Sequence, residues 1–121
     1  MKNANYKIFE LLSPKYERDN IKLSLSRIKK ALQELGNPCK NIPAIQIIGT
    51  NGKGSIAAYL ESILFEAKRN FGVTTSPHLF DVCERIRVNK KNINKTDFEK
   101  IFRLIEKNFS TFELTPFEKI I

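Results

Sequence analysis

The chain has 121 residues, 41% of them hydrophobic, with 21 Lys and Arg against 13 Asp and Glu, a net charge of +8. That length suits one small domain and that apolar fraction supplies a core, which excludes a disordered tail; no apolar run approaches the ~20 residues of a bilayer span, and the first residues lack the apolar stretch and cleavage site of a signal peptide. The positive balance attracts anions in general, but Lys22, Arg27, Lys29 and Lys30 are spread along a helix rather than interleaved with aromatics, so the expectation is a solvated basic surface with no nucleic-acid and no membrane partner.

Residues 6–12 suggest a short helix stopped at Ser13-Pro14, because proline disfavours a helical residue before it. A polar loop follows over 15–20. Ile21, Leu25, Ile28, Leu32 and Leu35 then recur at steps of four and three, the buried face of a helix ended by Gly36-Asn37-Pro38. Residues 43–48 are almost wholly apolar and predict a strand covered on both faces. A glycine-rich turn leads into a helix over 56–67 that is expected to bury Ile56, Leu60, Ile63, Leu64 and Ala67. Residues 71–75 predict a second strand. Strand, helix and strand make one right-handed βαβ unit, so the expected fold class is α/β: a partial P-loop-type parallel sheet flanked by helices.

Ser76-Pro77-His78 forms a turn at the carboxyl end of the second strand, where open α/β sheets bind their ligands. Ser76 reads equally as a hydroxyl for a metal or as a turn serine capping backbone groups. His78 reads chiefly as a structural, hydrogen-bonding histidine. Residues 80–89 predict a loop into an edge strand, and 88–93 a hairpin around Asn89-Lys90-Lys91-Asn92. Thr96 and Glu99 have the spacing of a capping box, opening a helix that buries Phe98, Ile101, Phe102 and Ile105. Thr115-Pro116-Phe117-Glu118 repeats that signal with only three residues left, so the chain is expected to be cut inside an element. Cys39 and Cys83 lack metal-site spacing with each other or with His78, which predicts no zinc site and two free thiols in a reducing cytoplasm.

The most informative stretch is Gly49-Thr50-Asn51-Gly52-Lys53-Gly54-Ser55. A glycine-rich turn between strand and helix aims several N–H groups at one anion, and the helix adds about half a positive charge. Lys53 can reach a terminal phosphate, and the Ser55 hydroxyl can bind the Mg²⁺ that accompanies it. The strict pattern G-x-x-x-x-G-K-[ST] is not met: Gly54 separates Lys53 from Ser55, and Gly49 lies only three residues before Gly52. A glycine-rich turn without a ligand is the alternative.

Taken together, residues 49–55, Thr75-Ser76-Pro77-His78-Leu79 and Glu84-Arg85-Ile86-Arg87-Val88-Asn89 resemble the N-terminal part of folylpolyglutamate synthase/dihydrofolate synthase, in the Mur ligase superfamily. Leu35-Gly36-Asn37-Pro38 and Leu114-Thr115-Pro116-Phe117-Glu118 also fit, so the resemblance runs from about residue 15 to the last. It implies an ATP-dependent amide ligase that adds L-glutamate to dihydropteroate or a folate through an acyl phosphate, with ATP and Mg²⁺. It also implies a catalytic role for Lys53 on the β- and γ-phosphates, a nucleotide cradle of Gly49, Thr50, Asn51, Gly52, Lys53, Gly54 and Ser55, metal contacts by Ser55 and Ser76, and substrate contacts by Ser76, Pro77 and His78. Arg85 is a candidate partner for anionic groups. Residues 1–121 would then be a truncated N-terminal portion of the ATP-binding domain, inactive alone, with a separately encoded C-terminal part as one expected partner. A nucleotide-binding or structural remnant without turnover is the alternative.

Overall fold

The computed structural model describes residues 24–121; the expectations for residues 6–20 and for Ile21 lie outside that range. The chain forms two compact units, the first combining the residues up to Ile42 with Lys95–Ile121 and the second spanning Pro43–Asn94.

In the first unit, helix α1 (Ser26–Glu34) ends as its sequence predicts. Gly36 takes φ +75° and Asn37 φ +52°. Gly36 N–H donates to Gln33 O at 2.9 Å and Asn37 N–H to Leu32 O at 2.7 Å, the paired bonds of a Schellman stop. The buried residue of α1 is Ala31, whereas Leu25 and Leu35 are exposed. The five-residue stripe therefore marks the correct face but overstates its ends.

Helix α3 (Lys95–Asn108) begins one residue before Thr96, so the expected N-cap lies inside the first turn. Phe98 and Phe102 are its buried residues, with ring centroids 6.1 Å apart; Ile105 is half-buried and Ile101 exposed. After a 3-10 turn over Ser110–Phe112, the second capping box forms. Thr115 N–H donates to Glu118 Oε2 at 2.8 Å and Glu118 N–H to Thr115 Oγ1 at 3.2 Å. The residues after Pro116 form turns rather than a helix. Glu118 also accepts from Arg27 of α1, at 3.3 Å from Nε and 3.2 Å from Nη2. Lys119 Nζ lies over the Phe102 ring at 5.2 Å and donates to Glu106 Oε1 at 3.0 Å.

In the second unit, helix α2 (Lys53–Glu66) precedes a three-stranded sheet of β1 (Gly72–Thr74), β2 (Ile86–Val88) and β3 (Lys91–Asn92) in that order. Both pairings are antiparallel, with Val73 opposite Arg87 and Val88 opposite Lys91. The α/β class is present, and the described strands form no parallel pair of the kind expected. Residues 43–49 carry no regular secondary structure, and Ile45 and Ile48 are exposed. A parallel ladder needs a neighbouring strand running the same way; β1 instead pairs with β2, which lies in the centre of the sheet rather than at an edge. The hairpin is present with a two-residue turn, Asn89 at φ +49° and Lys90 at φ +67°. Both residues are left-handed, as a turn that follows the twist of its strands requires.

The buried face of α2 also differs from expectation. Ala57 and Glu61 are buried, while Ile56, Ile63 and Ala67 are exposed. The helix is apolar nearly all round, so periodicity cannot select a face. A charge selects it: Glu61 accepts from Arg87 Nε at 3.1 and 3.2 Å and pairs with Arg87 Nη2. Removing one partner of a buried pair costs about 3–5 kcal/mol, and less where, as here, Arg87 keeps a fifth of its side-chain exposure. At its far end α2 stops on a second Schellman pattern, with Lys68 at φ +54° in the place glycine usually takes.

These two helix ends make opposite predictions. Gly36→Ala should lower the unfolding free energy by about 1 kcal/mol, because a Cβ there meets no neighbour within 4 Å and only the left-handed backbone is penalised. Lys68→Gly should raise it by up to about 1 kcal/mol for the same reason. Urea unfolding of both variants checks this, and no change in either would show that the two stops do not hold in solution.

Candidate functional site

The glycine-rich turn sits directly before α2. Gly52 is the N-cap at φ +75°, a conformation that side-chain-bearing residues rarely adopt, and it has no side chain with which to cap the helix. The first helical bond runs from Ile56 N–H to Gly52 O at 3.0 Å. Ahead of it, the N–H groups of Lys53, Gly54 and Ser55 face outward from the first turn, where the helix dipole favours an anion. All seven residues from Gly49 to Ser55 are exposed. Lys53 Nζ donates to Gly49 O at 2.6 Å and Thr50 O at 3.2 Å. The ammonium therefore stands at the mouth of its own loop, with one of its three donors still uncommitted. Ser55, third in the helix, presents its hydroxyl on the same turn. Backbone donors, a cation and a hydroxyl on one turn fit a phosphate with its metal.

Ser76 and Pro77 are exposed, joined by a cis peptide bond, and His78 is half-buried. Arg85 Nε donates to His78 Nδ1 at 2.9 Å. That bond requires an imidazole with a lone pair on Nδ1 and places its proton on Nε2. Arg85 is only 1% exposed, so it orients His78 from within the fold. The bond supports the structural reading of His78. Cys39 is exposed and Cys83 buried, both as free thiols; among the described residues no group of three or more His, Cys, Asp and Glu is arranged to hold a metal.

Beyond His78 the chain is held by a carboxylate. Glu84 accepts the N–H groups of Leu79 at 2.8 Å, Phe80 at 3.1 Å and Asp81 at 2.9 Å. Asp81 Oδ1 accepts Cys83 N–H at 2.8 Å, completing a capping box on the 3-10 turn Val82–Arg85. The D-x-x-E spacing of Asp81 and Glu84 is a readable signal for this box that residue-by-residue inspection of the loop passes over.

Sequence reasoning also misses Glu61 and Arg87. Arg87 Nη1 donates to Glu84 O at 2.7 Å and to Thr75 Oγ1 at 3.2 Å, while its other nitrogens hold Glu61 of α2. Thr75 immediately precedes Ser76. One guanidinium thus ties the helix behind the phosphate loop to the strand end before the Ser76 turn. A glutamate on an apolar helix and an arginine on a strand are the available clues, but nothing in their spacing pairs them.

No family model matches the chain. Dihydrofolate synthetase of Saccharomyces cerevisiae is 43% identical over 81 residues, which is 67% of this chain and 19% of that protein. The folylpolyglutamate synthase of Mycobacterium tuberculosis complexed with ADP has a TM-score of 0.78 at 31% identity, covering 96% of this chain and 28% of that one. The bifunctional folylpolyglutamate synthase/dihydrofolate synthase of Yersinia pestis, complexed with AMPPNP and Mn ion, has a TM-score of 0.73 at 36% identity, over 82% and 24% of the two chains. The fold and loop define an α/β segment of Mur ligase type. More narrowly, the chain belongs to the folylpolyglutamate synthase/dihydrofolate synthase family. It spans about a fifth of the length of the curated relatives it matches.

The Glu84 clamp has a pH signature. Its backbone bonds, first that from Leu79 and next that from Asp81, hold the carboxyl below the ordinary glutamate range. A depressed carboxylate contributes stability that is fully present above the ordinary value and is lost as pH falls through the lowered one. The amides of Leu79, Phe80 and Asp81 should therefore titrate together by NMR, with a midpoint below the usual glutamate value of about 4.3. In Glu84→Gln that step should vanish, and a midpoint at the ordinary value in the unsubstituted protein would contradict the clamp.

Proposed function

We propose that this chain is the nucleotide-gripping portion of an ATP-dependent amide ligase that joins glutamate to dihydropteroate or a folate. The observation that carries the reading is the α2 start: an uncapped helix N-terminus behind a left-handed glycine, with an ammonium at its mouth. In the reaction, a substrate carboxylate oxygen takes the γ-phosphoryl group of ATP and ADP leaves. The glutamate amine then attacks the acyl carbon, phosphate departs and an amide forms. Catalysis of this kind is mostly placement and neutralisation of charge.

Each candidate residue has a part in that scheme. The backbone of Gly49, Thr50, Asn51, Gly52 and Gly54 cradles the phosphates. Lys53 leaves the Gly49 and Thr50 carbonyls for the β- and γ-phosphates. Ser55 would hold the Mg²⁺ of the nucleotide, and Ser76 would offer its hydroxyl to a second, so that the ions neutralise phosphate charge. Pro77 and His78 shape the side of the site that meets the pterin, with the His78 ring oriented by Arg85. Because the chain matches about a fifth of its relatives' length, turnover is assigned to the whole ligase and nucleotide binding to this segment. Its place as the N-terminal portion of the ATP-binding domain, working in the cytoplasm, belongs to the same proposal.

Titration with Mg-ATP tests it. Lys53→Ala should weaken binding about 10- to 100-fold, the worth of one charge-assisted hydrogen bond. Equal affinities would remove Lys53 from the site. ADP release in the presence of dihydropteroate or tetrahydrofolate with glutamate separates ligase from binder: the chain alone should bind nucleotide and release no ADP.

A further inference from the structure

The Arg87 junction performs more than packing. Its Nε and Nη2 hold both carboxylate oxygens of Glu61 from the side of α2 that faces the sheet, and its Nη1 holds Thr75 Oγ1 and Glu84 O. Thr75 Oγ1 donates to the same Glu84 carbonyl at 3.3 Å, which closes the polar circuit. Glu61 lies two turns along the helix that begins at Lys53, and Thr75 is bonded directly to Ser76. Both attachments are rigid: one is the body of an α-helix, the other the end of a paired strand. A planar fork with donors on two edges fixes distance and angle together, which a lysine ammonium cannot do.

We propose that Arg87, with Glu61 and Thr75, is a positioning device that sets the Ser76 turn at the span from the phosphate loop that a metal-bound triphosphate requires. The inference rests on the nucleotide reading of residues 49–55 and adds residues that reading does not use. The loop and Lys53 grip phosphate oxygens whether or not a metal is present. Metal-dependent affinity, by contrast, needs Ser55 and Ser76 at the correct separation. Loosening the fork should therefore spare the first and impair the second.

The test compares ATP binding with excess EDTA against binding with Mg²⁺, in the unsubstituted chain, Arg87→Lys and Thr75→Val. Far-UV circular dichroism and melting temperature verify the fold of each. Arg87→Lys keeps the charge and loses the fork. Thr75→Val keeps the shape, the Glu61 pair and the bond from the residue 75 N–H to Arg85 O, and loses the side-chain link between Arg87 and the turn. In both, metal-free affinity should stay within about twofold, while the gain on adding Mg²⁺ should fall about tenfold or more. A full metal-dependent gain in either folded variant overturns the proposal, as does a parallel loss with and without metal, which a purely structural role would give. If Arg87→Lys does not fold, Thr75→Val alone decides. If the unsubstituted chain binds no ATP under either condition, the nucleotide reading falls first and the positioning role with it; if it binds and both variants match it, only the positioning role falls.

Discussion

The second unit is organised by one half-buried guanidinium, that of Arg87. Arg87 is the residue at which α2, the end of β1, the 3-10 turn and the central strand meet through hydrogen bonds rather than apolar contact. Without it the helix has little to choose its orientation, because apolar side chains occur on nearly every side of it. An ion pair between two half-shielded groups is a modest source of stability but a strong source of uniqueness, since any other rotation of α2 would leave Glu61 without Arg87. The hairpin adds a second anchor on the same helix: Lys90 lies over the Phe65 ring at 5.4 Å and reaches Ser62 Oγ at 3.4 Å. Phe71 and Asn89 fasten the hairpin's other side through backbone and amide bonds.

Around this frame the polar chemistry is divided between two kinds of backbone end. At the start of α2 the donors are left open, behind a glycine that cannot cap them. At residues 79–81 they are closed by the Glu84 carboxylate. The contrast follows from residue choice alone. Both are runs of outward N–H groups with an affinity for negative charge, and only one is supplied with a carboxylate from within the chain.

How much of this could be read from the residues depends on whether the deciding interaction is local. Helix stops and caps are local, and Gly36-Asn37 and Thr115 to Glu118 behave as their spacing says. The tight turn at Asn89 was legible for the same reason, as was burial of Phe98 and Phe102, whose helix has a clear polar face. The glycine-rich turn into α2 was legible as a sequence pattern, and its glycine at φ +75° explains why. One miss is local: the expected cap Thr96 lies inside the first turn of its helix. The others are non-local. Residues 43–48 carry strand-forming side chains, but a strand exists only with a neighbour, and composition does not name one. The direction of strand pairing was not legible for the same reason. The face of α2 failed because its apolar pattern is nearly uniform and the choice was made by Arg87, 26 residues away. The burial of Arg85 was not legible because charge suggests solvent, whereas the guanidinium stays inside and donates to a ring nitrogen of His78.

The short bond from Lys53 to the Gly49 carbonyl carries a consequence for what the loop can select. Two of the three ammonium donors are already held by oxygens of its own turn, so an anion that is to engage them all must displace those oxygens. A chloride ion or a solitary carboxylate offers little more than those carbonyls do. A polyphosphate offers several charged oxygens at once and reaches the exposed amides simultaneously. On the proposed nucleotide reading, the loop would act as a threshold on charge density, favouring a multivalent anion over the abundant weak ones.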